Sequence, residues 1–141
     1  NSDLAEQMEI LYENSLDEQL QQAIKQVTIR SNDFDIATTQ SSQAKLFLAS
    51  AAEVGFSDSK LSSINNANAE GACFDYFARG ILSTGQKFTN AIGMSFASTW
   101  WVRSAYGNVG SLFAMVYGDG ETSSQFANNA NQFVVPAFVI G

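Results

Sequence analysis

Large apolar side chains recur at helical spacing along residues 72–101. Because residues three or four positions apart lie on one face of an α-helix, this recurrence predicts two amphipathic helices. Gly85 lies between them, where a helix often ends in a left-handed conformation. We therefore predict an αα-hairpin around Gly85. Its two apolar stripes are Cys73, Phe74, Phe77 and Ile81, and then Phe88, Ile92, Phe96 and Trp100.

The chain before this hairpin also has helical patterns. Residues 1–14 combine acids with apolar residues at helical spacing, which predicts an acidic N-terminal helix. Ser15 and Glu18 have the spacing of a capping box, in which a hydroxyl and a carboxylate each accept a backbone N–H. This motif predicts a second helix over residues 15–30.

A polar loop is expected at residues 31–40, which are rich in Asn, Asp and Thr. Ser41 or Ser42 can then cap a third helix that Gly55 ends. A further short segment is expected to start just after it, at Ser57 or Asp58.

The C-terminal part is less regular. Residues 112–117 are apolar enough for either a short helix or a strand. Ser123 or Ser124 can cap a last helix, and the apolar tail over residues 134–141 is expected to be extended around its proline.

Length and composition indicate one folded domain over residues 1–141. The chain is 45% hydrophobic and carries 11 phenylalanines, which is enough to build a single core. Short gaps between predicted helices favour antiparallel neighbours. We therefore predict an all-α fold, a compact orthogonal or antiparallel bundle of five to six helices.

Charge is sparse and concentrated at one end. The formal net charge is −7, and the seven basic residues are scattered singly, so nucleic acid is not an expected partner. The first eighteen residues contain acids and no Lys or Arg. This acidic pole is either a solvated helix face or a pH-sensing device for assembly. Its candidate residues are Glu6, Glu9, Glu13, Asp17 and Glu18.

The residue types for most reactions are missing. The sequence has no histidine, which removes imidazole bases and metal ligands, and one cysteine, which cannot complete a structural zinc site. We therefore expect no catalytic, cofactor-binding or metal-binding residues, and not an enzyme. The longest apolar run, residues 133–140, is too short to span a membrane and contains Pro136.

Three further side chains are candidates for contacts between molecules. Cys73 falls on the apolar stripe, so it is either a core thiol or the site of an intermolecular disulfide. Trp100 and Trp101 diverge by about 100° on a helix, so one of them is expected to be exposed at an interface.

Residues 77–91, with the sequence FARGILSTGQKFTNA, and the later Ser95–Ser98 run resemble the helical domains of spider silk proteins, the spidroins. The closest likeness is to the repeat unit of tubuliform, or egg-case, silk, and residues 41–46 are similar in style. A single cysteine in a helix also looks like the arrangement in some spidroin C-terminal domains, where it joins two chains. For Cys73, the resemblance thus implies an intermolecular disulfide.

By this resemblance the protein would be secreted, extracellular and non-enzymatic. It would be a structural domain of a silk-like fibre, soluble when stored and self-associating on assembly. The alternative is a small helical binding module for an apolar ligand or a protein partner.

Overall fold

The computed structural model describes residues 3–32, 39–64, 66–78, 99–107, 111–117, 122–129 and 131–141. In these residues strands predominate, and one helix alone is longer than two turns. The predicted all-α bundle of five to six helices is therefore wrong. Most of the expected central hairpin, residues 79–98, lies outside the described residues.

The helices are short apart from the first. Asp3 and Glu6 lie in the first turn of α1, where the helix dipole favours negative charge. α2 is capped by Asp17, whose carboxylate accepts the Leu20 N–H at 2.9 Å. The helices are α1 (Asp3–Ser15), α2 (Glu18–Ala23), α3 (Asp58–Leu61) and α4 (Asp75–Ala78), with a 3₁₀ turn at Ala67–Ala69.

The strands form four small antiparallel groups. β1 pairs with β9, β2 with β3 and β4 with β8, whereas β5, β6 and β7 form a three-stranded sheet in that order. The last two strands return to pair with two early ones, so the C-terminal residues are built into the fold. The strands are β1 (Ile24–Lys25), β2 (Val27–Asn32), β3 (Thr39–Ala44), β4 (Phe47–Leu48), β5 (Trp100–Ala105), β6 (Leu112–Val116), β7 (Thr122–Phe126), β8 (Pro136–Ala137) and β9 (Val139–Ile140).

The predicted second helix ends early because its last part has strand chemistry. From Val27 to Asn32, burial alternates between half-buried and exposed positions before it ends on buried Asn32. Val27, Thr28 and Ile29 are all β-branched, a residue type that loses side-chain freedom in a helix and packs well on a sheet. Of the helix predicted over residues 15–30, the structure has only α2, which ends at Ala23.

The predicted third helix is also wrong. Its first residues, up to Ala44, belong to β3 (Thr39–Ala44), which pairs with β2 in register from Val27 with Ala44 to Asn32 with Thr39. Residues 41–46 are part of the spidroin resemblance, and they contribute to a strand rather than a helix. The silk and spidroin assignment depended on helical domains, so the β-rich fold removes its structural support.

The centre of the molecule is the segment from Leu46 to Phe56, which is buried at every position except the half-buried Gly55. Its Leu46 and Leu48 belong to a cluster with the α1 residue Met8. Its later apolar residues belong to the main core, which also receives side chains from β5 and β6. That core consists of Ala49, Ala51, Val54, Phe56, Ile64, Ala67, Phe77, Trp100, Val102, Ala114 and Val116.

Strand geometry sets the two tryptophans on opposite faces of β5. Trp100 is 2% exposed in the main core, and Trp101 is half-buried against the cluster of Met8. Successive side chains of a strand alternate between faces, so the sheet is covered on both sides. The register between β5 and β6 shifts between Trp101 and Ala105, as at a β-bulge.

Candidate functional site

A buried arginine organises the polar interior. Arg103, on the irregular part of β5, uses all five N–H donors of its guanidinium. Its Nε donates to the Arg30 carbonyl at 2.9 Å. One terminal nitrogen, Nη1, donates to the Leu48 carbonyl and to Glu53 Oε2, at 2.7 and 2.5 Å. The other, Nη2, donates to Glu53 Oε1 and to the Glu70 carbonyl, at 2.8 and 2.6 Å.

Glu53 is positioned by a reciprocal pair of hydrogen bonds with Ser50. The Ser50 N–H donates to Glu53 Oε2 at 2.8 Å, and the Glu53 N–H donates to the Ser50 hydroxyl at 3.1 Å. This is the bonding pattern of a capping box, here in a buried turn. The carboxylate therefore faces Arg103 in a fixed, two-pronged geometry.

A second buried carboxylate, Glu70, lies next to this pair and is 2% exposed. Its Oε1 accepts the Asn32 N–H at 3.1 Å, and its Oε2 accepts a hydrogen bond from the Ser104 hydroxyl. Ser104 also accepts the Ala51 N–H at 2.9 Å. The register shift of β5 falls where two neighbouring residues both contact Glu70, Arg103 at the backbone carbonyl and Ser104 at the carboxylate.

Burial controls the ionisation of Glu70. Loss of water raises the pKa of its carboxyl above the ordinary value. Hydrogen bonds from Ser104 and Asn32 and the charge of Arg103 act in the opposite direction, while the charge of Glu53 adds to the rise. Glu53 holds the ion pair with Arg103, and the Glu70 carboxylate lies within the influence of both charges, so a proton on Glu70 would remove the excess negative charge.

A cleft of about 450 Å³ opens beside this network. Arg30 and Thr28 from β2 lie on one side, and Asn68 of the 3₁₀ turn lies on another. All three side chains belong to exposed residues. Glu53 and Glu70 also line the cleft, together with Ala69, Gly71 and Ala72.

The carboxylates that line the cleft are held by the protein itself. Each of the four carboxylate oxygens of Glu53 and Glu70 accepts a hydrogen bond from within the protein. The exposed groups of Thr28, Arg30 and Asn68 remain as those that can meet a ligand.

The acids expected at the N-terminus lie elsewhere. Each is exposed on or beside α1 and α2, and Asp17 caps α2. None lines the cleft. These residues are Glu6, Glu9, Glu13, Asp17 and Glu18.

The other candidate residues also fall outside the cleft. Cys73 is exposed and free, not part of the core, and its Sγ contacts the Phe74 carbonyl at 3.6 Å. Trp100 is in the main core, and Trp101 packs at the second cluster. Trp101 packs in the cluster that contains Met8 of α1, the helix that also carries Glu6, Glu9 and Glu13.

Sequence reasoning missed the network, although signals for it exist. Ser50 and Glu53 have the capping-box spacing, but in the sequence they lie inside an apparent helix. Glu53 is also a charge within an apolar run, and Arg103 is an isolated charge in an apolar strand. Buried charges are almost always paired, so these two residues were candidates for one ion pair.

The part of the chain that the structure describes holds no group of three or more His, Cys, Asp or Glu side chains placed to bind a metal ion. Over the same residues, no helix has the length and apolar character to cross a membrane.

The family model described as "Domain of unknown function (DUF6273)" matches residues 1–141, so the chain belongs to this family. Neither a curated protein nor a solved structure matches the chain.

Gly71 is predicted to be essential for the Glu53–Arg103 pair. Its φ is +149°, and a Cβ at this position would lie 2.5 Å from Glu53 Oε1. Gly107→Ala is the matched control, since Gly107 has a φ of +64° and, among the described residues, its Cβ would meet the Ser63 carbonyl at 4.0 Å. We expect Gly107→Ala to cost about 1–2 kcal/mol from backbone strain alone. Gly71→Ala should cost at least about 2 kcal/mol more, because it displaces a buried carboxylate from its partner. Urea unfolding measures both, and equal losses would contradict the prediction.

Glu70→Gln should change how stability depends on pH. In the wild type, the folded state takes up a proton on Glu70 as pH falls through the raised pKa, so stability rises until pH reaches the ordinary value of about 4.3. Glutamine removes the charge and keeps an acceptor for the Asn32 N–H, while its amide nitrogen in place of Oε2 donates to the Ser104 hydroxyl and so reverses that hydrogen bond. The variant should therefore gain most, relative to wild type, above the raised pKa, and this gain should shrink towards about pH 4.3. Urea unfolding from about pH 7.5 to about pH 4.5 measures it, with exposed Glu9→Gln as control. A constant difference at every pH would refute the prediction.

Proposed function

We propose that this domain is a non-catalytic binding module whose ligand site is the cleft between β2 and the 3₁₀ turn Ala67–Ala69. The observation that carries this proposal is the contrast between the cleft's floor and its rim. At the floor, the carboxylates of Glu53 and Glu70 are hydrogen-bonded within the protein. At the rim, polar groups of exposed residues face an open volume of about 450 Å³.

A rigid floor favours binding because its side chains lose little conformational entropy when a ligand binds. Arg103 ties together the backbone carbonyls of Arg30, Leu48 and Glu70, which belong to three separate segments. Two of these residues, Arg30 and Glu70, line the cleft. The same hydrogen bonds that close the interior thus hold the two sides of the cleft at a set separation.

The rim indicates a polar ligand. Arg30 offers a guanidinium, Asn68 an amide with both donors and an acceptor, and Thr28 a hydroxyl. The Thr28 hydroxyl already accepts a hydrogen bond from Gln43 at 2.7 Å, which orients it. The lining residues without polar side chains are Ala69, Gly71 and Ala72, which are small and leave room for a ligand to approach the backbone.

Self-association is a second candidate function, and a specific surface favours it. Five large apolar side chains between residues 133 and 140 are exposed, and Ile140 at 61% is the most exposed of them. Exposed apolar side chains gathered in one short segment often mark a contact with another protein. Exposed Cys73 is available for a crosslink between two copies. The five are Phe133, Val134, Phe138, Val139 and Ile140.

Asn68→Trp tests the binding site. The indole should fill the cleft at the 3₁₀ turn and weaken the binding of any cleft ligand by about tenfold or more. Titration calorimetry with free amino acids, dicarboxylates, end-blocked dipeptides and oligosaccharides is the measurement. Gln19→Trp, an exposed substitution on α2, is the matched control and should bind as the wild type does. The proposal fails if no compound binds or if Asn68→Trp binds them equally well.

Ile140→Lys tests self-association. Residue 140 pairs with Ile24 through the backbone, while its side chain is exposed, so lysine should leave the strand intact and place an unpaired charge in the apolar contact. Sedimentation velocity should show association of the wild type that grows with salt, because salt screens a net charge of −7. Ile140→Lys should associate less, and Gln19→Lys should match the wild type. A wild type that stays monomeric at every salt concentration would overturn this candidate, with Cys73→Ser separating covalent from non-covalent dimers.

A further inference from the structure

A second cleft of about 680 Å³ adjoins the first one. Asn68 and Ala69 line both clefts, so the 3₁₀ turn Ala67–Ala69 forms a ridge between them. A ligand longer than a single small molecule can therefore pass over Asn68 from one cleft into the other.

The second cleft has an apolar floor. Ile64 and Ala67 are 4% and 5% exposed, respectively, and both belong to the main core. Leu61 of α3 is half-buried and packs against that core. Such a surface fits an aliphatic side chain, which would remove the remaining apolar area from water. The first cleft has no such surface among its lining residues.

The two clefts carry opposite charges at their edges. Arg30 lines the first cleft, and Asp58, at the start of α3, lines the second. Within the described residues, the ion pair is between Arg103 and Glu53, and neither Arg30 nor Asp58 takes part in it. Both residues are usable for a ligand because Arg30 is exposed in β2 and Asp58 is exposed in α3. Opposite charges at two ends of a site select the direction in which a charged chain lies.

We propose that the two clefts together bind an extended peptide segment in which an aliphatic side chain lies between an acidic and a basic one. The acidic side chain meets Arg30, the aliphatic one enters the second cleft, and the basic one meets Asp58. Asn68 on the ridge can donate to a peptide carbonyl and accept a peptide N–H. This inference rests on the proposed binding function and specifies its ligand.

Neutral ligands fit these features less well. A neutral oligosaccharide would leave both charges without a partner and would place hydroxyl groups against the apolar side chains of Leu61 and Ile64. A peptide with an acidic group alone would use the first cleft but would leave the second empty. The combination of both charges and an apolar floor is what selects this type of segment.

Charge reversal on both sides of the contact tests the proposal. The ligands are fluorescent, end-blocked peptides that contain one glutamate, one leucine and one lysine at different spacings, and fluorescence anisotropy measures their binding. Arg30→Glu and Asp58→Lys should each weaken the best peptide by about tenfold or more. A peptide with lysine in place of glutamate should regain affinity for Arg30→Glu, and one with glutamate in place of lysine should regain affinity for Asp58→Lys.

Matched controls separate a local contact from an effect of net charge. Lys25→Glu and Glu9→Lys make the same charge changes at exposed positions of β1 and α1, outside both clefts, and should bind as the wild type does. The neutral variants Arg30→Gln and Asp58→Asn should also lose affinity. They replace the charge-reversal variants in the experiment if one of those does not fold. Equal losses in the controls, or no rescue by the reversed peptides, would overturn the proposal.

The experiment distinguishes this inference from the binding function on which it rests. If no peptide binds but another small compound binds in a manner that Asn68→Trp abolishes, the cleft is a binding site and the peptide inference is wrong. An oligosaccharide that binds wild type, Arg30→Glu and Asp58→Lys equally would also overturn the peptide inference alone. If nothing binds in a manner that depends on Asn68, both fail.

Discussion

The structure depends on the burial of one positive charge, that of Arg103, against Glu53. Burying an ion is costly, and a buried pair holds only when the remaining donors and acceptors are also satisfied. Here the five N–H donors of Arg103 are all used. Three of the five go to backbone carbonyls of distant segments, so the arginine determines which segments lie side by side. The aromatic ring of Phe47 lies 6.0 Å from the centre of the guanidinium and adds an apolar cover.

The same constraint links the interior to the surface. The carbonyls of Arg30 and Glu70 that Arg103 holds belong to residues that line the first cleft. Gly71 follows Glu70 directly and leaves the space that Glu53 occupies. A buried polar network often contributes more to selecting one arrangement of the chain than to the free energy of unfolding. We interpret the network of Arg103 as the support that keeps the exposed side chains of the first cleft in position.

The sequence predicted individual elements better than their arrangement. The acidic N-terminal helix appears as α1, Ser57 precedes α3, and residues 112–117, left open as helix or strand, contain β6. In contrast, β2 and β3 were assigned to helices and a loop because helical spacing of apolar residues is a local signal. Only six residues separate β2 from β3, its pairing partner, so distance in the sequence does not explain this error. The β-branched residues Val27, Thr28 and Ile29 favoured a strand, but the apolar periodicity was given more weight.

The candidate site was missed because its residues are far apart in the sequence. Glu53 and Arg103 are fifty positions apart and join only after β5 has been placed beside the Leu46–Phe56 segment. The position of Cys73 illustrates the converse error, since this thiol on an apparent apolar stripe precedes α4 and is exposed. Sparse charges within apolar runs are the signal that could have found the network. They indicate that burial requires a partner, but not which partner.

The pairing of β9 with β1 and of β8 with β4 has a consequence for how the chain reaches its native state. Ile140 pairs with Ile24, and Ala137 pairs with Phe47, so these ladders form only after residues 136–140 have left the ribosome. Contacts between residues far apart in the sequence slow the search for the native arrangement. Until these contacts form, β1 and β4 lack their partner strands, and an unpaired strand edge can pair with another nascent chain.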